Sequence, residues 1–236
     1  MSSSALNARL LSAAKFVRQD ATFADVGTDH AYLPLFLLDE GRVSFAYCSD
    51  INEGPLASAK RNARERGREG QMEFILTDGI ADLCGKGITD YAVCGMGGEL
   101  IADIILRAPH LRNPEINLIL QPMSKQAHLR SFLAENGFRV IAESYSFDAG
   151  KYYLCLLASY TGECRRLSEV EAEIGIDCSK NEDTSAKIGY IKGRINALTR
   201  AYEGKKMGGE TNIPEEKVLK ALKAQLKSLG EEGITK

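Results

Sequence analysis

Apolar and polar positions in the first 160 residues follow two alternating periods. Leu6, Leu10, Ala13 and Val17 recur at helical spacing, which predicts an amphipathic helix lying on the domain ahead of its first strand. Short apolar runs follow at Phe23 to Val26, Phe45 to Ile51, Glu73 to Thr77, Tyr91 to Cys94 and Asn117 to Leu120. Between them lie stretches that read as helices at about 33–39, 52–67, 99–106 and 126–135. Strand and helix in strict alternation predict a parallel sheet covered on both faces. Two further runs, Phe138 to Phe147 and Tyr152 to Tyr160, are joined only by Asp148-Ala149-Gly150-Lys151. So short a connection requires them to be antiparallel.

The pattern changes after residue 162. Ser168 with Glu171 forms a capping-box string ahead of a short helix ending near Gly175. Ile188, Ile191, Ile195, Leu198 and Tyr202 step by three and four, as do Leu219, Leu222, Leu226 and Leu229. These are two coiled-coil seams, separated by a glycine-containing loop and by Pro214 near the start of the second helix. The expected organisation is an α/β domain at 1–162 and a helical hairpin at 163–236. The seams are short enough that the hairpin also has the option of packing on the sheet or on another subunit.

Composition narrows the function classes. The chain has 236 residues, 44% hydrophobic, with a net charge of −2, so a basic field over the whole protein is excluded. The charge is unevenly spread: residues 179–229 hold 11 Lys or Arg against 6 Asp or Glu. Cysteines at 48, 84, 94, 155, 164 and 178 form no Cys-x-x-Cys pair, so reduced thiols and no metal site are expected. The sequence has no apolar signal core and no 18-residue apolar run, which points to a cytoplasmic protein without a membrane span.

Candidate chemistry gathers at the strand ends. The first apolar run breaks at Gly27 and continues Thr28-Asp29-His30-Ala31-Tyr32 toward a helix. In an open α/β sheet that turn lies at the switch point where ligands bind, and a glycine lets a ligand approach the backbone closely. Asp50 ends the second strand 23 residues beyond Gly27, a position suited to both hydroxyls of a ribose. Asp78-Gly79 ends the third, where a carboxylate can accept from an exocyclic amine. Gly95-Met96-Gly97-Gly98 follows the fourth. Strand-end Asp residues also serve as turn formers and helix caps, but three in succession at Asp29, Asp50 and Asp78 suggest more. A nicotinamide-dependent oxidoreductase shares the ribose acid, but it wants Gly-x-Gly-x-x-Gly, and Gly27 to Tyr32 lacks the second and third glycines.

With the terminal hairpin, these strand ends resemble the Rossmann-fold methyltransferases that use S-adenosylmethionine (SAM). The strings Ala24-Asp25-Val26-Gly27-Thr28-Asp29-His30-Ala31-Tyr32-Leu33-Pro34 and Gly95-Met96-Gly97-Gly98, with a helical-hairpin tail, are similar to those of the bacterial tRNA adenine-22 N1-methyltransferase family. The resemblance implies SAM as cofactor, tRNA as substrate and a coiled-coil tail that helps hold it. It implies that Gly27 and Thr28 lie against the amino-acid end of SAM, Asp50 on its ribose, and Ile51, Asp78 and Gly79 around its adenine. Gly95 then borders the cofactor. Asp29 matches the family residue proposed as catalytic, while His30, Tyr32, Met96 and Gly97 are placed for the incoming base. The Asn/Asp-Pro-Pro-aromatic string of amino-group methyltransferases is absent after strand four, which speaks against exocyclic N6 as the target.

Adenine N1 carries a nucleophilic lone pair, so alignment with the methyl donor is the main requirement and no covalent intermediate is needed. N1 lies on the Watson-Crick edge, so a paired or stacked adenine must first be swung out of the tRNA fold. Lysines at 187, 192, 205, 206, 217, 220, 223 and 227, with Arg194 and Arg200, are either a solvated face or a set of phosphate contacts. A small-molecule methyltransferase and a SAM-responsive binding protein without turnover stay open at this point, because a fold does not choose its substrate. Oligomeric state is not legible from the sequence.

Overall fold

The structure is a computed structural model and describes residues 6–175, 184–211 and 213–230. Strands Phe23–Val26 (β1), Ala46–Asp50 (β2), Met72–Leu76 (β3), Asp90–Gly97 (β4), Asn117–Ser124 (β5), Phe138–Asp148 (β6) and Lys151–Tyr160 (β7) form one sheet. Its order is β3-β2-β1-β4-β5-β7-β6. The first five strands are parallel, and β7 runs antiparallel to both neighbours. This is the Rossmann-like sheet with an antiparallel terminal hairpin that the sequence predicts. The chain reverses its direction of travel across the sheet between β1 and β4, so the crevice for a ligand opens above their carboxyl ends.

The helices are Ala8–Ala14 (α1), Tyr32–Asp39 (α2), Glu53–Glu65 (α3), Gly98–Leu106 (α4), Gln126–Glu135 (α5), Glu169–Ile174 (α6), Thr184–Met207 (α7) and Glu215–Ser228 (α8). One face of the sheet buries Ala13 and Val17 with Leu33, Leu37 and Ala59. The other buries Ile101, Ile105, Leu129 and Leu133 with Ala186 and Tyr190 of α7. None of the described helices is long and apolar enough to cross a membrane.

Two strands run further than their apolar runs suggest. β4 continues to Gly97 through register shifts at Met96, pairing Met96 with Pro122 and Gly97 with Ser124 of an equally extended β5. Glycines carry no side chain to reveal a strand, and Pro122 is tolerated because it lies beyond the last β5–β7 pair, Leu120 with Leu156. The opening helix, read from Leu6 to Val17, is regular only over α1.

The tail forms the helical hairpin and also packs on the sheet. Ile191, Val218, Leu222 and Leu226 form a seam between α7 and α8, joined by Ile188, Ile195 and Leu198. An adjacent face of α7 sends Ala186 and Tyr190 into the core of the sheet. The capping box of Ser168 and Glu171 opens α6. Cys178 lies outside the described residues.

Candidate active site at the carboxyl edge of the sheet

β1 ends at a turn held by two parallel hydrogen bonds, in which the N–H groups of Gly27 and Thr28 both donate to Ser49 O at 2.8 Å. Gly27 has φ +76, a conformation open to glycine at little cost. A Cβ there would also stand 2.1 Å from Cε of Met96. Thr28 is buried and donates its hydroxyl to the Asp25 carboxylate beneath it. Burial pushes Asp25 up to about 6, against the opposing pull of the Thr28 hydroxyl and the Arg9 charge.

Beyond Thr28 the chain emerges into solvent. The side chain of Asp29 is 74% exposed and its Oδ2 lies 3.4 Å from His30 Nε2. The His30 ring stacks on Tyr32, centroids 5.2 Å apart, and the His30 carbonyl accepts from Asn62 Nδ2 at 2.9 Å. The helix-cap explanation for Asp29 fails here: α2 is opened by Ala31 in a left-handed conformation, with no side-chain cap.

At the tip of β2, Asp50 Oδ1 accepts from the Asn52 N–H at 2.8 Å, so this acid does serve its own turn. Ile51 beside it is exposed. At the tip of β3, both carboxylate oxygens of Asp78 are held by Arg107 from the end of α4, at 2.7 and 3.2 Å. That hydrogen bond is the main reason Asp78 titrates below the usual carboxylate range. Gly79 faces Ile104 and the same guanidinium. Along β4, Gly95 N donates to Gln121 Oε1 at 3.1 Å, and Arg9 Nη1 donates to that same oxygen at 2.6 Å. Met96 reaches across from β4 to lie over Gly27, while Gly97 pairs with Ser124.

The structure therefore joins Gly27, Thr28, Gly95 and Met96 around the β1–β4 crevice, with Asp29, His30 and Tyr32 on its rim. Asp50 and Ile51 stand at the next strand end, and Asp78 with Gly79 at the one after. Sequence reading assigns no role to Asp25, Asn62, Arg107 or Gln121, and Arg9 joins Gln121 from α1. Asp25 carries a signal, being an acid inside a buried strand. The others are brought in by tertiary contacts that no local pattern announces.

The sheet order and this crevice define a Rossmann-like methyltransferase. Residues 6–156 match a family profile described as a methyltransferase domain. The tRNA (adenine(22)-N(1))-methyltransferase of Bacillus subtilis is 34% identical over 154 residues, which span 65% of this chain and 64% of that protein. A crystal structure of a Streptococcus agalactiae protein in the NADB-Rossmann superfamily superposes with a TM-score of 0.77 at 30% identity, covering 94% of this chain and 97% of that one. The structure of Mycoplasma capricolum TrmK with bound S-adenosylhomocysteine gives a TM-score of 0.70 at 28% identity over 95% and 96%. A putative tRNA (m1A22) methyltransferase of Streptococcus pneumoniae is 30% identical over 95% of this chain and 99% of that one, with a TM-score of 0.78, and the chain belongs to the tRNA (adenine-22-N1)-methyltransferase family.

Proposed function

We propose that this chain transfers a methyl group from SAM to N1 of the adenine at position 22 in the D arm of tRNA. The observation that carries the reading is the open carboxylate of Asp29 beside the Gly27 turn. It is 74% exposed, caps no helix and stands next to the stacked rings of His30 and Tyr32. The residues of the crevice fit the cofactor. Gly27 offers bare backbone covered by the flexible end of Met96, and Asp50 retains an acceptor oxygen for the ribose hydroxyls. Ile51 supplies an exposed apolar surface for the adenine, bordered by Asp78 and Gly79.

When bound, SAM supplies a methyl group activated by its sulfonium. The chain's own part is to bring the nucleobase into line with that methyl and to exclude competing geometries. His30, Tyr32, Met96 and Gly97 contact the base in this reading. Methylation at N1 makes the ring cationic, and Asp29 answers that charge either as a carboxylate facing it or by accepting a proton from N6. Residues 1–162 carry the chemistry and 163–236 hold phosphates, with the reaction taking place in the cytoplasm.

The test is to incubate the purified chain with SAM and unmodified tRNA, digest the RNA and map methylated nucleosides by mass spectrometry. N1-methyladenosine at position 22 is the expected product. Methylation of another atom or position, or no methylated nucleoside despite SAM binding, overturns the reading.

A further inference from the structure

We infer that Phe147 and Tyr152, at the tip of the β6–β7 hairpin, form a stacking platform for an unpaired nucleobase of the RNA substrate. This inference rests on the tRNA reading above. The two residues are a cross-strand pair with ring centroids 4.7 Å apart, yet they remain 52% and 42% exposed. Large aromatic side chains are ordinarily drawn into cores, as Tyr145 is two residues earlier on the same face of β6. A solvent-facing pair is therefore poised for a partner.

The location ties the pair to the reaction. β6 is parallel to β5 and β4, so its end lies on the carboxyl edge of the sheet with the β1–β4 crevice. Continuing the β5–β7 register of Leu120 with Leu156 four residues further brings Ser124 level with Tyr152, and Ser124 is the partner of Gly97. The platform thus stands level with the proposed base-contacting strand end. Three strand spacings separate β4 from β6, about 14 Å. That is a reach suited to nucleotides flanking the one that is swung out.

Charge decides the class of partner. Tyr152 is set directly against α7: a Cβ on Gly189 would stand 2.1 Å from its ring. That helix carries six Lys or Arg against one Glu; Lys187 is buried and Arg194 and Lys205 are ion-paired with Glu173 and Glu215, while Arg200 and Lys206 stand exposed further along it. An aromatic pair continuous with a cationic helix matches single-stranded nucleic acid, in which bases stack on rings while phosphates meet cations. Two rings expose far too little area for a stable protein interface.

The chain contains no tryptophan, so Phe147→Trp introduces a single reporter at the platform. Its emission should be quenched when unmodified tRNA is added, and should not respond to SAM alone. Phe147→Ala should weaken tRNA binding, followed by fluorescence anisotropy, by about 5- to 150-fold. Phe147→Leu, which keeps apolar area without a π face, should be similarly impaired, and both variants should retain wild-type SAM affinity. Unchanged Trp emission while anisotropy reports bound tRNA overturns the platform and leaves the tRNA reading intact, as does full tRNA affinity in Phe147→Ala. Failure of the wild-type chain to bind or methylate tRNA removes the tRNA reading, and the platform with it.

Discussion

Met96 and Gly27 share one volume: the methionine methyl stands 2.1 Å from the position a Cβ on residue 27 would occupy. Gly27 also has a positive φ, which costs any other residue about 1–2 kcal/mol. Gly27→Ala therefore meets a backbone penalty and a steric one together. We expect stability to fall by at least that amount and SAM affinity, measured calorimetrically, to fall tenfold or more. Adding Met96→Ala removes the steric part only, so the double variant should recover partially, and full recovery would show that φ does not matter here.

Asp29→Asn keeps the size of the side chain and removes its charge. The group is exposed, and its side chain meets His30 rather than any element of the core, so SAM affinity and melting temperature should stay at wild-type values. Turnover should drop by about 100-fold or more, the scale typical of a missing acid–base or electrostatic group. Single-turnover rates at saturating tRNA check this. A variant with near-normal rates removes Asp29 from the chemistry.

Asp25 gives a stability signature. Its carboxyl is raised from 3.8 to about 6 by burial, so the folded state holds the proton more tightly than the unfolded chain does. The resulting stabilisation is complete below about pH 4 and is lost as pH rises toward 6 and beyond. In Asp25→Asn this dependence disappears. The variant should gain on wild type as pH rises from 4 to 7, by up to about 3 kcal/mol for a carboxyl raised from 3.8 to about 6. Denaturant titrations of both proteins at the two pH values measure the difference, and a constant gap would mean that Asp25 is not raised.

The same residues show how much of the molecule the sequence discloses. Periodicity reveals every element of the sheet, because strand and helix bury apolar side chains at different spacings. It fails where side chains are missing or atypical, and so the strand through Gly95, Met96 and Gly97 reads as a loop. Gly27, Thr28 and Asp29 are legible as a site because a turn after a buried strand concentrates rare residue types. Arg9 with Gln121, and Arg107 with Asp78, are not legible, since their partners lie 112 and 29 residues apart. The attachment of α7 to the sheet is legible only as one option among others, because its helix carries two adjacent apolar faces and the heptad pattern is the stronger of them.

A buried ion pair ties α5 and α6 to β6. Arg130 and Glu143 are 3% and 1% exposed, and Arg130 also donates to the carbonyl of Ala172 in α6 at 2.9 Å. Burial is the strongest single influence and disfavours the guanidinium charge, but its neighbours, Glu143 first among them by charge and by hydrogen bond, together hold Arg130 above its ordinary value. Tyr145 donates its hydroxyl to Glu143 as well, at 2.6 Å. Arg130→Met strands that carboxylate without its cation and should destabilise the fold by about 3–5 kcal/mol. Arg130→Met with Glu143→Leu should recover much of the loss, as replacement of a whole buried pair by apolar groups often does. Thermal melts of the three proteins decide it, and a mild single variant would mean that water reaches the pair.

The tail's contribution to RNA binding is best tested by charge. Removing the tail bodily would uncover the sheet surface that Ala186 and Tyr190 bury, and weaker binding would then report unfolding as readily as missing phosphate partners. Lys217, Lys220, Lys223 and Lys227 are all exposed on α8, opposite the buried Val218, Leu222 and Leu226, so converting all four to Gln leaves the seam intact. If they meet phosphates, tRNA affinity falls and its dependence on salt becomes shallower, by about one unit of log–log slope for each lysine–phosphate pair removed. SAM affinity and the melting temperature should not move. Measuring tRNA affinity at low and high salt for both proteins separates the possibilities: parallel lines at equal affinity make these lysines a solvated face, whereas a reduced slope counts how many of the four touch RNA.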